Sequence, residues 1–215
     1  MRRDHVKLIS DLGELSGIFH DATSLETFLQ KIVIMISEHV HSEVCSIYLY
    51  YEDSQKLVLK ATKGLHSSSI GSVAMQLGEG LTGLALEEMR PICEKNASRN
   101  PHFKFFPGIG EEQYESFLAV PIIRGQTRIG VIVIQNTQKN YFSEEDVKAF
   151  KAITSQLANT IETAKLLMSL GEKEKPKEAV SVQGLKLVQG KVGSAGFALG
   201  EVVVVSEHLP TLSIL

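Results

Sequence analysis

The chain has 215 residues, of which 43% are hydrophobic and 22% charged, and its 22 basic and 25 acidic residues give a net charge of −3. This composition is typical of a globular protein and excludes a disordered one. The charges are scattered, without the basic patch of a nucleic-acid-binding protein, and no apolar run reaches the ~18 residues of a membrane span. The first residues, MRRDHVKLIS, lack the apolar region of a signal peptide. We therefore expect a cytoplasmic protein that binds neither nucleic acid nor membrane.

Apolar residues at helical spacing predict two helices at the N-terminus. The first spans Leu8 to Phe19, and the second follows Ser24, whose hydroxyl suits a helix N-cap. From Val44 the pattern changes to two short runs rich in β-branched and aromatic residues, VCSIYLYY and KLVLKAT, separated by the polar turn EDSQ. This arrangement predicts a β-hairpin.

The middle of the chain predicts shorter elements. VAMQL is a weaker strand, and the glycines of GEGLTGLALEE lead into a short helix that the proline of MRP must end. A brief strand, ICE, comes next. Between Lys95 and Glu111 lies a long loop, NASRNPHFKFFPGIG, which contains three phenylalanines.

The last third of the domain predicts a second hairpin and a long helix. SFLAVPII and RIGVIVIQN are joined by the tight turn RGQT, and the unbroken apolar run IGVIVI indicates a central strand covered on both faces. Ser143 and Asp146 form a capping box that opens the final helix. We expect this helix to end at Gly171, because glycine readily adopts the left-handed conformation of a helix C-terminus.

The final helix has apolar residues at alternating spacings of four and three, as in a coiled-coil seam. A heptad-like stripe also runs along the first helix, so the pattern predicts a homodimer through the terminal helices. The alternative is a monomer in which two amphipathic helices cover one sheet. The seam residues are Phe150, Thr154, Leu157, Ile161, Ala164 and Met168.

Composition divides the chain into three parts. Residues 1–170 form the predicted domain, and residues 171–184, GEKEKPKEAVSVQG, alternate in charge and contain a proline, as a linker does. Residues 185–215 are too few to fold alone, although they contain the valine-rich strand of VGSAGFALGEVVVV. The length of the chain thus allows one domain and part of a second.

The order of these elements resembles the GAF domain, a small-molecule sensory module. Six segments are similar to the N-terminal GAF domain of the nitrogen-related enzyme I family of phosphoenolpyruvate–protein phosphotransferases: VCSIYLYY, LVLKATKGL, GEGLTGLALEEMRPI, NASRNPHFKFFP, EEQYESFLAVPI and RIGVIVIQN. The chain departs from that family at Asn100, where histidine usually stands, and at FFPG, where glutamate commonly follows the proline. The resemblance implies an α/β (α+β) GAF fold whose central antiparallel sheet has the terminal helices on one face and a pocket on the other.

The resemblance also implies what the chain lacks. In that family a linker and a phosphoenolpyruvate-utilising domain follow the GAF domain, and GSAGFALGEVVVV is similar to the start of that second domain, with Ala195 in place of a proline. The family phosphorylates its own histidine, in a Gly-Gly…Ser-His setting, and then a histidine-phosphocarrier protein. None of the seven histidines has that setting or metal-ligand spacing. We expect the chain alone to be no enzyme and to hold no cofactor, with Mg²⁺ confined to the missing phosphoenolpyruvate-binding domain.

The resemblance implies glutamine or 2-oxoglutarate as the ligand. The amides that open the helix after GEG suit an anion, unless Glu79 satisfies them as part of a structural turn. The planar fork of Arg99 suits a carboxylate, unless it is simply solvated. The polar-tipped face of the first strand, with Ser46, Tyr48 and Tyr50, is the expected pocket side, opposite Cys45, Ile47 and Leu49. The candidate ligand-binding residues are Ser46, Tyr48, Glu79, Thr82, Arg99, Asn100, His102 and Phe103.

Three functions remain open. The first is a regulatory sensor whose final helix passes the ligand state through the linker to a phosphotransferase. The second is a thiol redox enzyme, as in GAF-type reductases of free methionine sulfoxide, although Cys45 and Cys93 are both expected to be buried and such chemistry needs an accessible thiolate. The third is a purely structural dimerisation module. The NKxxF…DE pattern of cyclic-nucleotide GAF domains is absent.

Overall fold

The computed structural model describes residues 24–111 and 113–174, the last eight of these by their backbone alone. The predicted helix at Leu8–Phe19 and the predicted strand in residues 185–215 lie outside this range. The described elements are α1 (Leu25–Val40), β1 (Val44–Tyr51), β2 (Lys56–Lys63), β3 (Ala74–Gln76), α2 (Gly80–Glu87), β4 (Ile92–Glu94), β5 (Ser116–Arg124), β6 (Thr127–Asn136) and α3 (Glu144–Glu174), with short 3₁₀ turns at Ser67–Ser69 and Ala97–Arg99.

Both predicted helix N-termini are confirmed. The Ser24 side chain accepts a hydrogen bond from the Thr27 amide at 3.1 Å at the start of α1. At the start of α3, the Asp146 carboxylate accepts from the Ser143 amide at 2.7 Å, and the Ser143 hydroxyl accepts from the Asp146 amide at 3.3 Å. These bonds satisfy backbone donors that a helix leaves open in its first turn, which is why each helix begins there.

The six strands form one sheet in the order β3-β2-β1-β6-β5-β4, and every neighbouring pair is antiparallel. β1 and β6 lie at the centre, and β6 is buried along its whole length from Ile129 to Asn136, as the unbroken apolar run predicts. The two strands approach closely at Gly130, because a Cβ there would lie 2.2 Å from the Tyr48 carbonyl oxygen. Only glycine fits this contact.

Two apolar layers cover the sheet. On one face, the α1/α3 layer contains Cys45, Ile47 and Leu49 of β1 together with the buried stripes of both long helices. On the other face, the α2 layer contains Val44 and Tyr48 of β1 with Leu81, Ala85 and Leu86 of α2. The two faces of β1 therefore point as the strand alternation predicts, and the expected central antiparallel sheet with long helices on one face is confirmed.

The seam predicted along α3 packs against the chain's own sheet. Each described seam residue belongs to the core or is buried beside it: Phe150, Thr154, Leu157, Ile161 and Ala164. A coiled-coil repeat of 3.5 residues and a helix of 3.6 drift apart by only about 20° per heptad. Two heptads therefore cannot distinguish a dimer seam from a sheet-covering stripe. The coiled-coil interpretation of these five residues is wrong, and a dimer through α3 would have to use its outward face.

The predicted end of the last helix at Gly171 is also wrong, because α3 continues to Glu174. Glycine inside a helix costs only about 1 kcal/mol relative to alanine. The next three residues, Glu-Lys-Glu, are good helix formers. The predicted division at residues 170 and 171 stays a prediction, with the helix crossing it.

Candidate functional site

The α2 side of β1 and β2 contains a buried pair of hydroxyls. Ser46 is fully buried, Thr62 is 5% exposed, and their hydroxyl oxygens are 2.8 Å apart across the two strands. The backbone of Thr62 is held in turn by the Gln30 side chain of α1, whose amide nitrogen donates to the Thr62 carbonyl at 2.8 Å. The carboxamide oxygen of Gln30 accepts from the Thr62 amide at 3.3 Å. α1 thus fixes the position of one of the two hydroxyls.

A second buried polar pair lies on the same side. Gln135 of β6 is 2% exposed, and its side-chain nitrogen donates to Oε1 of Glu111 at 2.7 Å. Burial raises the pKa of Tyr48, and the charge of Glu111 raises it further, so the Tyr48 phenol remains neutral. We call Ser46, Tyr48, Thr62, Glu111 and Gln135 the buried polar set. It combines neutral hydroxyls and an amide with one carboxylate.

α2 covers this side and is held at both ends. Near its start, Gly83 approaches β3 so closely that a Cβ would lie 2.5 Å from the Gln76 carbonyl oxygen. At its end, the Arg128 guanidinium donates to the carbonyls of Leu86 and Glu87, each at 3.2 Å. A cation at the helix C-terminus also interacts favourably with the helix dipole. The predicted site residue Thr82 is buried within α2.

Glu79, which precedes α2, takes part in local contacts. Its Oε2 accepts from the Gln76 amide at 2.7 Å, its Oε1 is ion-paired with Lys104, and these contacts lower the pKa of Glu79, with the Lys104 bond as the largest cause. α2 begins without a side-chain cap hydrogen bond. The Glu79 carboxylate therefore bonds the strand before α2, and not the helix amides as the structural-turn interpretation expected.

The loop between β4 and β5 is anchored at several points. Near its start, the Asn100 side chain donates to Glu94 of β4 at 2.8 Å and accepts from the His102 amide at 2.8 Å. In its middle, Lys104 pairs with Glu79. Near its end, the His66 ring nitrogen Nδ1 lies 2.9 Å from the carbonyl oxygen of Gly108. These contacts hold the loop over the α2 side, where Glu111 follows them.

The loop residues predicted to bind ligand divide into two groups. Arg99 and His102 are exposed, while Phe103 is partly buried and packs on the α2 layer. Phe106 packs there as well, whereas Phe105 is 45% exposed. The structure thus brings Ser46 and Tyr48 into the buried polar set and leaves Arg99 and His102 at the surface.

Sequence reasoning missed Thr62, Glu111 and Gln135. Gln135 had a local signal, since a polar residue in a strand buried on both faces needs a partner. The other two had none, because their partners are 16 and 24 residues away in the chain.

The thiols do not form a redox centre. Cys45 is fully buried, but Cys93 is exposed, so the prediction that both are buried is wrong for Cys93. Desolvation raises the pKa of both thiols. Thiol redox chemistry needs a thiolate, and a raised pKa disfavours it. Cys45, Ile134, Leu118 and Cys93 are successive partners across four strands. Three strand spacings separate the two thiols' backbones by roughly 14 Å, twice the limit for a disulfide.

Two further observations concern residues 24–111 and 113–174 only. In this part of the chain, no group of three or more His, Cys, Asp or Glu side chains is placed to hold a metal ion. No helix within it is both long and apolar enough to cross a membrane.

An antiparallel sheet with two long helices on one face, and a short helix and an anchored loop on the other, defines a known class of domain. The GAF domain family matches the chain over residues 22–162, and the chain belongs to that family.

Curated relatives resemble this domain over part of their length. The chain is 29% identical over 165 residues to the phosphoenolpyruvate-dependent phosphotransferase system protein of Salmonella typhimurium, and equally to that of Escherichia coli. The match covers 77% of this chain and 22% of each relative. The nitrogen fixation protein VnfA of Azotobacter vinelandii is 27% identical, with 69% of this chain and 29% of that protein covered. The chain therefore spans about a fifth to a third of these relatives.

Solved structures give the same family. The GAF domain of a phosphoenolpyruvate-protein phosphotransferase from Coxiella burnetii is 30% identical, with a TM-score of 0.69, and the match covers 77% of this chain and 99% of that one. The corresponding Acinetobacter domain is 31% identical, with a TM-score of 0.65 and coverages of 79% and 99%. A free methionine-R-sulfoxide reductase from Neisseria meningitidis, 18% identical with a TM-score of 0.64 and coverages of 78% and 96%, shares the fold.

Proposed function

We propose that this GAF domain binds a small molecule on the α2 side of its sheet and thereby regulates a phosphoenolpyruvate–protein phosphotransferase of the nitrogen-related phosphotransferase system. The buried polar set is the observation that supports binding. Burying polar groups is costly unless each is hydrogen-bonded. Here Ser46 bonds Thr62 and Gln135 bonds Glu111. Polar groups gathered in this way beneath an anchored loop suit the recognition of a polar ligand.

The charge of the site favours a ligand with an ammonium group. Glu111 is 8% exposed, whereas Arg99 and Lys104 of the covering loop are exposed. In a medium of low dielectric, the Glu111 carboxylate would repel a dianion such as 2-oxoglutarate and attract the ammonium of an amino acid. Of the two ligands that the family resemblance implies, we therefore propose glutamine.

The identity of the protein that this domain would regulate is proposed from the similarity to the relatives. Similarity to phosphotransferase-system proteins and to the Coxiella burnetii domain supports a longer protein in which this domain controls phosphoryl transfer to a histidine-phosphocarrier protein. In that proposal Mg²⁺ belongs to a further phosphoenolpyruvate-binding domain. The similarity to VnfA, a nitrogen fixation protein, supports a role in nitrogen regulation.

The structural alternative is a dimerisation module without a ligand. A homodimer through the terminal helices would use the outward face of α3 and the predicted helix at Leu8–Phe19, which lies outside the described residues. Calorimetric titration with glutamine, 2-oxoglutarate and nucleotides, together with sedimentation analysis, separates the two functions. Binding of glutamine supports the sensor. A concentration-independent dimer that binds none of these compounds at millimolar concentration supports the structural module and overturns the sensor.

A further inference from the structure

Two contacts hold α3 against one end of the sheet. Nε of Arg124, the last residue of β5, lies 2.8 Å from Oε2 of Glu162. Nζ of Lys165 lies 5.9 Å from the ring centroid of Tyr51, the last residue of β1. β1 and β5 end on the same side because both are antiparallel to β6. Glu162 and Lys165 are three residues apart and share one face of the helix.

The Tyr51 ring is shared by two ammonium groups. Nζ of Lys60 lies 5.5 Å from the same ring centroid and 3.7 Å from a carboxylate oxygen of Glu26 in α1. Burial lowers the pKa of Lys165, Glu162 opposes this shift, and the charge of Lys60 adds to it. The pKa of Lys60 is raised, with its bond to the Tyr51 side chain as the largest cause. A displacement of Tyr51 therefore changes its contacts with both ammonium groups.

The strands that meet at this ring also provide three of the five members of the buried polar set, Ser46, Tyr48 and Thr62. β1 contains Ser46 and ends at Tyr51, and β2 contains both Lys60 and Thr62. The register between the strands shifts between Ile47 and Tyr48, so that Lys60 is the extra residue of a bulge. Bulges aim a side chain in a new direction and locally increase the twist. A displacement of β1 against β2 at the Ser46–Thr62 pair therefore moves Tyr51 and Lys60 relative to Lys165.

We propose that the Tyr51–Lys165 contact, supported by the Arg124–Glu162 pair, is the junction that couples the buried polar set to α3 beyond residue 165. Its biological use rests on the proposed sensing function. The coupling itself is a property of the chain and exists without ligand. It can therefore be tested in the free protein, and its failure is distinct from a failure to bind glutamine.

The test is a double-mutant cycle on the full chain, read by amide hydrogen exchange. Thr62→Val removes one hydroxyl of the buried pair with little change of shape, and Lys165→Met removes the ammonium while keeping the length of the side chain. We expect Thr62→Val to change the exchange rates of the amides in residues 166–174 by about two- to tenfold. In the Lys165→Met background this change should disappear. Lys151→Met, at an exposed position of the same helix, is the matched control and should preserve it.

Two results would overturn the proposed coupling. An unchanged exchange rate in folded Thr62→Val, or the same change with and without Lys165, would overturn the coupling. Ser46→Ala perturbs the pair from β1 and replaces Thr62→Val if that variant does not fold. Glutamine binding with no effect in the cycle would leave the sensor intact and remove the junction.

Discussion

The Gln135 side chain donates a 2.7 Å hydrogen bond to the Glu111 carboxylate, and both residues are more than 90% buried. Gln135 belongs to the central strand β6, whereas Glu111 follows the anchored part of the long loop. This bond therefore ties the rigid centre of the sheet to the segment that covers its α2 side. It also orients the carboxylate on which the choice of ligand depends.

Replacing Gln135 with methionine should destabilise the fold. The variant keeps the length of the side chain but removes a donor from a buried carboxylate, a loss worth about 1.5–3 kcal/mol in the free energy of unfolding. Urea denaturation at neutral pH measures it. Gln126→Met, in the exposed turn between β5 and β6, should stay within about 0.5 kcal/mol of the parent protein. Equal effects of the two substitutions would contradict this role of the bond.

Gly130 should tolerate no side chain. A Cβ there would lie 2.2 Å from the Tyr48 carbonyl oxygen, so β1 and β6 would have to separate. We expect Gly130→Ala to lower the free energy of unfolding by about 2–4 kcal/mol. The comparison is Gly125→Ala, where φ is +59° but nothing lies within 4 Å; it should cost about 1 kcal/mol. Urea denaturation of both variants measures the two losses of free energy of unfolding. A larger loss for Gly125→Ala than for Gly130→Ala would show that the central strands are not in this close contact.

Glu79 should contribute a small, pH-dependent stability. Its folded-state pKa is lowered from 4.5 by the Lys104 bond and the Gln76 amide. The contribution is therefore present above the unfolded-state pKa and is lost as the pH falls through the lower folded-state value. Its side chain is 36% exposed, so solvent screening limits the effect at pH 7 to under about 1 kcal/mol.

The check compares the parent protein with Glu79→Gln by urea denaturation at pH 7 and at about pH 3. The difference in free energy of unfolding between the parent protein and Glu79→Gln should be smaller at the lower pH. Lys104→Met removes the largest cause of the lowered Glu79 pKa. The difference in free energy of unfolding between the parent protein and this variant should therefore also narrow at the lower pH. A difference that grows on acidification would reverse the sign and contradict the assigned contacts.

The two cysteines should react very differently with a thiol reagent. Cys93 is exposed, although desolvation and the neighbouring acidic charges of Glu94 and Asp146 raise its pKa, whereas Cys45 is fully buried. We expect slow labelling of one thiol in the native protein at neutral pH and of both in denaturant. Cys93→Ser should abolish native labelling. Rapid native labelling of both thiols would revive the redox alternative.

Local features were predictable from the sequence, and contacts between distant segments were not. The Ser24 cap, the Ser143–Asp146 box and the bounds of β1 each follow from residues within a few positions of one another. The exposure of Cys93 was missed because a three-residue edge strand, unlike a central one, leaves one face uncovered.

The candidate site shows the same limit. Strand alternation placed Ser46 and Tyr48 on the same face of β1, the α2 side, because period two depends on local geometry alone. Glu111 reaches the site only after the loop is anchored by Glu94, Glu79 and His66, which are contacts of tertiary structure. Such contacts cannot be inferred from the spacing of residues along the chain.

The most direct test of the proposed sensor is calorimetric titration of glutamine into the parent chain and into Glu111→Gln. The substitution keeps an acceptor for the Gln135 amide but removes the charge, so we expect glutamine to bind the parent chain and to bind the variant at least about tenfold more weakly, as for the loss of a charge-assisted hydrogen bond. Glu145→Gln, at an exposed position of α3, should bind as the parent does. Equal binding of glutamine to the parent chain and to Glu111→Gln, or binding of 2-oxoglutarate in its place, would contradict the account.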